Sequence, residues 1–181
     1  MKMIEDCLAP DLEIDILVDA AGWADCFPDA DIIVSAAAQA ALRDEHVSGT
    51  LTGSAIELSI LLTDDTAIAD LNRQWRGRSG PTNVLSFPAE NDARPADAPV
   101  LLGDVAIALQ TLMAQAKDAG IAPADHLRHL VVHGVLHLCG YDHETDIDAD
   151  RMEGLEIVIL EALGVSDPYA AAERRAGSAG R

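Results

Sequence analysis

The stretch His126 to His143, HLRHLVVHGVLHLCGYDH, constrains the fold of this chain most, because five of its six histidines lie within it. His133 and His137 stand four residues apart, so on an α-helix their imidazoles lie about 40° apart around the axis and one turn apart along it. Two such side chains can converge on one ion. Gly140 follows where a helix C-terminus favours a left-handed residue, which lets the backbone turn and carry His143 back toward the same point. The pattern His-x3-His-x5-His therefore requires a helix and a return loop. Three neutral imidazoles suit zinc or another borderline divalent metal, and three protein ligands leave a fourth position for water. That arrangement marks a catalytic site, in which the metal would bring the pKa of the water to about 7.

The same string separates two hydrolase classes. Zinc proteases with the pattern His-Glu-x-x-His-x-x-Gly-x-x-His carry a glutamate directly after the first histidine as general base. Here that position is Gly134. Proton transfer must then involve the activated water, another side chain or the substrate itself.

The string HGVLHLCGYDH, His133 to His143, closely resembles the signature of the YbeY family of bacterial rRNA-maturation endoribonucleases. LNRQWRGRSGPTNVLSFP, Leu71 to Pro88, is similar to that family's other recurrent motif, and LGDVAI, Leu102 to Ile107, to the strand that follows it. Around these blocks the resemblance extends over about residues 14 to 167. The resemblance implies an α+β fold with a mixed sheet. It also implies a single-strand-directed, metal-dependent endoribonuclease that acts with the small ribosomal subunit in rRNA maturation, at the 16S rRNA 3′ end.

On this reading His133, His137 and His143 bind one Zn2+ per chain. From spacing alone Arg76 is a solvated helix end, but an arginine at its place is one of the family's recurrent polar positions. It becomes the catalytic candidate, binding a substrate phosphate and stabilising the charge that develops on it. Arginine suits this because its planar fork matches phosphate oxygens and keeps its charge near neutrality. The RNA 2′-hydroxyl is an alternative nucleophile to water. Two rival readings stay open: a peptidase whose base is Asp142, Glu144 or Asp146, and a non-catalytic ribosome-assembly factor stapled by its metal.

The net charge of −19 opposes nonspecific binding to a polyphosphate. Its distribution softens the objection, since Arg73, Arg76 and Arg78 cluster in the second motif while acids crowd the first thirty-one residues and 142 to 161. A basic lip on an acidic body fits a specific, partner-assisted RNA contact. Cys7, Cys26 and Cys139 form neither a disulfide framework nor a Cys-x-x-Cys knuckle, and Cys139, nearly opposite His137 on the helix, is read as buried. No signal peptide or membrane-length apolar run is evident, which predicts a cytoplasmic protein that makes no membrane contact.

Length and an apolar fraction of 49% fit one domain over 1–167, with a disordered Ala, Gly and Arg rich tail at 168–181. Four strands are expected: at 12–18, at 55–63 in the centre, at 82–88 as an edge ended by Pro88, and at 100–109. A mobile loop is expected at 89–99 and a turn at 49–53. Helices are expected from Asp31 to near His46, from the Asp64 cap through Arg76 with Leu71 and Trp75 inward, and at 108–119. Two more follow, from Pro123 with Leu127, Leu130, Val131, Val135 and Leu138 buried, and from a capping Asp148 to Gly164. His46 is read as a helix-end residue and His129 as a cleft-lining or core histidine that shares a face with His133. Asp104 is a turn residue or a group behind the site, and Met152 a core residue or a methionine turn.

Overall fold

The computed structural model describes residues 11–49, 51, 55–90 and 98–170. Its strands are β1 (Asp11–Val18), β2 (Ala55–Thr63), β3 (Val84–Pro88) and β4 (Val100–Ala108). Its helices are α1 (Gly22–Cys26), α2 (Ala30–Arg43), α3 (Glu45–Ser48), α4 (Asp65–Arg76), α5 (Leu109–Ala119), α6 (Pro123–Leu138) and α7 (Asp146–Ala162). The sheet order is β1-β2-β4-β3, with β1, β2 and β4 parallel and β3 antiparallel to β4. This is the expected α+β architecture with a mixed four-stranded sheet, and β3 is an edge as Pro88 predicted.

The main core lies on the face of the sheet covered by α2 and α6. Ala37, Ala38 and Ala41 of α2 are fully buried, and their small side chains let the helix approach Val131 and Val135 of α6 closely. Aromatic residues are few, so aliphatic side chains fill most of this volume. Trp23 is the exception: it is fully buried and its indole N–H donates to the Thr63 carbonyl (2.9 Å). A smaller cluster of Ile68, Leu85, Ala106 and Ala108 sits on the opposite face under α4.

Several local expectations change. The alanine-rich helix stops at Arg43, because Asp44 leaves helical geometry (ψ 137°) and its carboxylate accepts from the His46 N–H (2.9 Å), starting the separate turn α3. The short helix α1 carries no sequence signal beyond Trp23. Asp64 does cap α4, accepting from the N–H groups of Thr66 and Ala67. Leu71 packs inward beside the buried Ile68 and Asn72 as expected, but Trp75 is 63% exposed against Phe87. At α7 the cap is Thr145, whose hydroxyl accepts from the Asp148 N–H and donates to the Asp148 carboxylate, so Asp148 is the third helical residue and not the cap. The turn read at 49–53 and the loop at 89–99 lie largely outside the described residues.

Candidate metal centre

Helix α6 begins with Pro123 in its first turn and buries Leu127, Leu130, Val131, Val135 and Leu138 as predicted. This fixes its rotation and leaves His133 and His137 on a half-buried side. Gly140 has φ +89°, the left-handed region, so the chain reverses there. The return is pinned twice. His137 Nδ1–H donates to the Tyr141 carbonyl (3.0 Å), and the Tyr141 hydroxyl donates to the His46 carbonyl (3.1 Å) on α3. His143 thereby arrives beside the helix, with its ring 5.0 Å from that of His137 and 5.6 Å from that of His133.

Potential ligand atoms of His133, His137 and His143 all lie within 4.8 Å of one another, so the three histidines form a cluster able to hold a metal. Hydrogen bonding sets which nitrogens face inward. Both outer partners, a carboxylate oxygen of Glu156 and the Tyr141 carbonyl, can only accept, so His133 and His137 carry their protons on Nδ1. Their Nε2 lone pairs then face each other at 3.1 Å. Two acceptors at that distance repel unless a cation or proton lies between them. Nitrogens on a tetrahedral zinc, at about 2.0–2.1 Å from the ion, would be about 3.3 Å apart. The donor set therefore fits a zinc-like ion. Burial, then the neighbouring His133 and His143, lower the His137 pKa and favour the neutral, ligating form.

Glu156 was not anticipated. It is fully buried on α7, and it bridges two histidines of α6. Oε1 accepts from His133 Nδ1 (2.7 Å) and Oε2 from His129 Nε2 (2.9 Å). The hydroxyl of Tyr169 donates to Oε2 as well, so residues just past the boundary drawn at 167 pack against the site. Burial pushes this carboxyl up, but the hydrogen bonds from His129 and His133 outweigh it and hold the pKa down at about 2. The sign follows: this stabilisation is intact above about 4.5, the ordinary value, and is lost as pH falls from there toward about 2. The only sequence signal for Glu156 was an acid at a position where the helical period calls for an apolar residue.

The remaining histidines and the cysteine lie apart from the cluster. His126 hydrogen-bonds Gln115 of α5 (3.0 Å), and His46 is a helix-end residue bonded to Asp44. Burial pushes the Cys139 thiol up to about 12, and Cys139 belongs to neither compact group of potential ligand atoms among the described residues.

Arg76, the last residue of α4, donates from Nη2 to the Ser86 carbonyl on β3 (2.8 Å). The Ser86 hydroxyl in turn donates to the Gly134 carbonyl on α6 (3.1 Å). One residue of the edge strand thus ties the arginine's helix to the residue that follows His133. Asp104 is neither a turn residue nor a group behind the site. It lies within β4 opposite Ser59 and Phe87, and side chains alternate along a strand, so it points away from α6. There it lines an open groove of about 610 Å³ with Trp75 and Phe87. Met152 is a core residue of α7, 1% exposed, and not part of a turn.

Gly134 also explains the missing protease base. A Cβ at this position would meet Val105 Cγ1 at 2.8 Å and Ser86 Oγ at 3.3 Å, so any side chain here would be driven into the sheet. Gly134→Ala should gain about 1 kcal/mol of helix propensity but lose about 1–3 kcal/mol to overpacking. Overpacking should win, because the obstructing atom belongs to a stiff, fully buried β-branched side chain. The expected result is a lower melting temperature, partly restored by a second change, Val105→Ala. Equal melting of Gly134→Ala and wild type would refute the close contact.

Residues 29–164 match the family described as Endoribonuclease YbeY. Among curated relatives, Endoribonuclease YbeY of Rhodospirillum rubrum is 50% identical over 167 residues, covering 88% of this chain and 84% of that protein. The protein of the same name from Azorhizobium caulinodans is 49% identical over 162 residues, covering 88% and 97%. The fold is similar to the solution structure of TM1509 from Thermotoga maritima, with a TM-score of 0.51 and 23% identity over 91% of this chain and 93% of that one. With the family match covering residues 29–164 and relatives about 50% identical over most of the chain, the chain belongs to the YbeY endoribonuclease family.

Proposed function

We propose that this protein is a zinc-dependent endoribonuclease that cuts single-stranded rRNA, at the 16S rRNA 3′ end, during maturation and quality control of the small ribosomal subunit. It works in the cytoplasm as one domain whose packed part extends past 167 to Tyr169; no helix among the described residues is long and apolar enough to cross a membrane. The observation that carries the metal reading is the pair of inward Nε2 lone pairs at 3.1 Å, joined by His143. Kinship to proteins named Endoribonuclease YbeY supports RNA as the substrate. When bound, zinc would polarise a phosphoryl oxygen or lower the pKa of a water molecule.

The protein's own residues do the rest. His133, His137 and His143 hold the ion, with the first two rings oriented by Glu156 and Tyr141. Arg76, anchored to Ser86 by one of its donors, keeps other N–H groups of its fork for a phosphate oxygen. Arg78, also exposed, adds to the basic lip. A peptidase would have to take its base from Asp142, Glu144 or Asp146, because position 134 has no room for one.

The test joins metal analysis to RNA cleavage. About one zinc per chain is expected, together with a drop in melting temperature on chelation, because coordination is coupled to folding of the return loop. Cleavage of single-stranded RNA should vanish with the metal and return when zinc is restored. A chain without bound metal that binds small subunits yet leaves RNA intact would point instead to an assembly factor.

A further inference from the structure

Glu156 is fully buried among Met152, Ile159 and Leu160, where an apolar residue would fill the space without the cost of desolvating a charge. If packing were the only demand on this position, a leucine would serve better. The carboxylate is instead spent on three donors: His133 Nδ1 on one oxygen, and His129 Nε2 and the Tyr169 hydroxyl on the other. We propose that Glu156 is a positioning residue for the metal centre: it fixes the tautomer and ring angle of His133 so that Nε2 faces the ion, while His129 and Tyr169 hold the carboxylate in place.

This inference rests on His133, His137 and His143 being the ligands. It assigns a role to His129, which lies one turn before His133 on the same helix face but outside the ligand triad. His129, His133 and Glu156 also form a compact group of potential ligand atoms. Two facts make that group a hydrogen-bonded support and not a second ion site. His133 has only one nitrogen left after Nε2 turns to His137, and that nitrogen is already bonded to Oε1 at 2.7 Å. The other oxygen is met by two donors, the Tyr169 ring lying edge-on to that of His129 (centroids 5.7 Å, 80°). The segment after α7 therefore closes the back of the site. A carboxylate on the far nitrogen of a ligating imidazole also makes it a better donor, and loss of such a partner typically weakens metal binding about 10- to 100-fold.

The experiment uses the full chain and the variants Glu156→Leu, Glu156→Gln and Tyr169→Phe. Zn2+ affinity is measured by competition with a chromophoric chelator. The absorption bands of the Co2+-loaded protein report ligand geometry, and melting of the metal-free proteins reports the fold. Glu156→Leu should weaken Zn2+ binding by about 10- to 100-fold and alter the Co2+ bands; its three unpaired donors should also lower metal-free melting, a cost that Glu156→Gln, which keeps an acceptor, reduces. Glu156→Gln keeps one acceptor oxygen without the charge and should fall between wild type and Leu. Tyr169→Phe should weaken binding least.

Wild-type affinity and an unchanged Co2+ spectrum in both Glu156 variants would overturn the proposal. So would two Zn2+ per wild-type chain with one lost in Glu156→Leu, since Glu156 would then be a ligand. A wild-type chain that binds no Zn2+ would refute the metal centre itself, and the positioning role with it.

Discussion

His137→Ala should abolish both metal retention and RNA cleavage, the largest effect expected of any single change in this protein. In the proposed metal site His137 supplies one of three ligands, and it also forms the hydrogen bond to Tyr141 that shapes the return loop. Removing it leaves His133 and His143 as a two-ligand site with a loosened loop. Affinity should fall well beyond the 10- to 100-fold typical of losing an outer partner, and residual cleavage should be below about 1%. His133→Ala should do the same and leave Glu156 with an unmet oxygen, whereas His143→Ala should spare helix α6 itself. The measurements are zinc content after dialysis and turnover of a single-stranded RNA. If only one of the three substitutions reduced zinc content, the triad would be wrong.

Arg76→Ala should separate phosphate chemistry from metal binding. Zinc content should stay near wild type, because the residue sits on α4 and a cation is a poor neighbour for the ion's ligand shell. RNA turnover should drop by about 100- to 1000-fold, the usual cost of losing one preorganised charged donor. The lost bond to the Ser86 carbonyl should cost only about 1 kcal/mol of stability, since water can reach this exposed helix end. Arg76→Lys should recover part of the turnover, because an ammonium restores the charge without the fork. Full RNA cleavage by Arg76→Ala, with the histidine variants inactive, would end the assignment of a catalytic role to this arginine. If wild type cut no RNA even with ribosomal subunits present, the ribonuclease reading itself would fall.

Much of this architecture was legible before any coordinates. Period-two alternation marked the strands, Asp64 and Gly77 bounded α4, and the i,i+4 histidines with Gly140 described a helix and its return. These are local signals, written within a few residues of the feature they specify. Errors arose where a local signal had two readings. Asp44 could continue a helix or cap the next one, and Thr145 and Asp148 are both capable caps, so the choice fell to backbone geometry that composition does not encode. The i,i+4 spacing of Leu71 and Trp75 puts both on one helix face, but α4 covers only part of its sheet face and leaves the Trp75 ring at the rim of an open groove.

By itself the sequence determined the His-x3-His-x5-His pattern, the family, the four strands and the five longer helices, and the absence of a glutamate after His133. Each is a matter of residue identity and short spacing. Only the tertiary structure decided which nitrogens face inward, why position 134 must be glycine, that Asp104 points to the far side of the sheet, and that Glu156 and Tyr169 stand behind the histidines. Glu156 and His133 are twenty-three residues apart and on different helices. The pairing of a buried carboxylate with an imidazole depends on how α7 packs against α6, and that packing is set by the whole core, so no short window of sequence contains it.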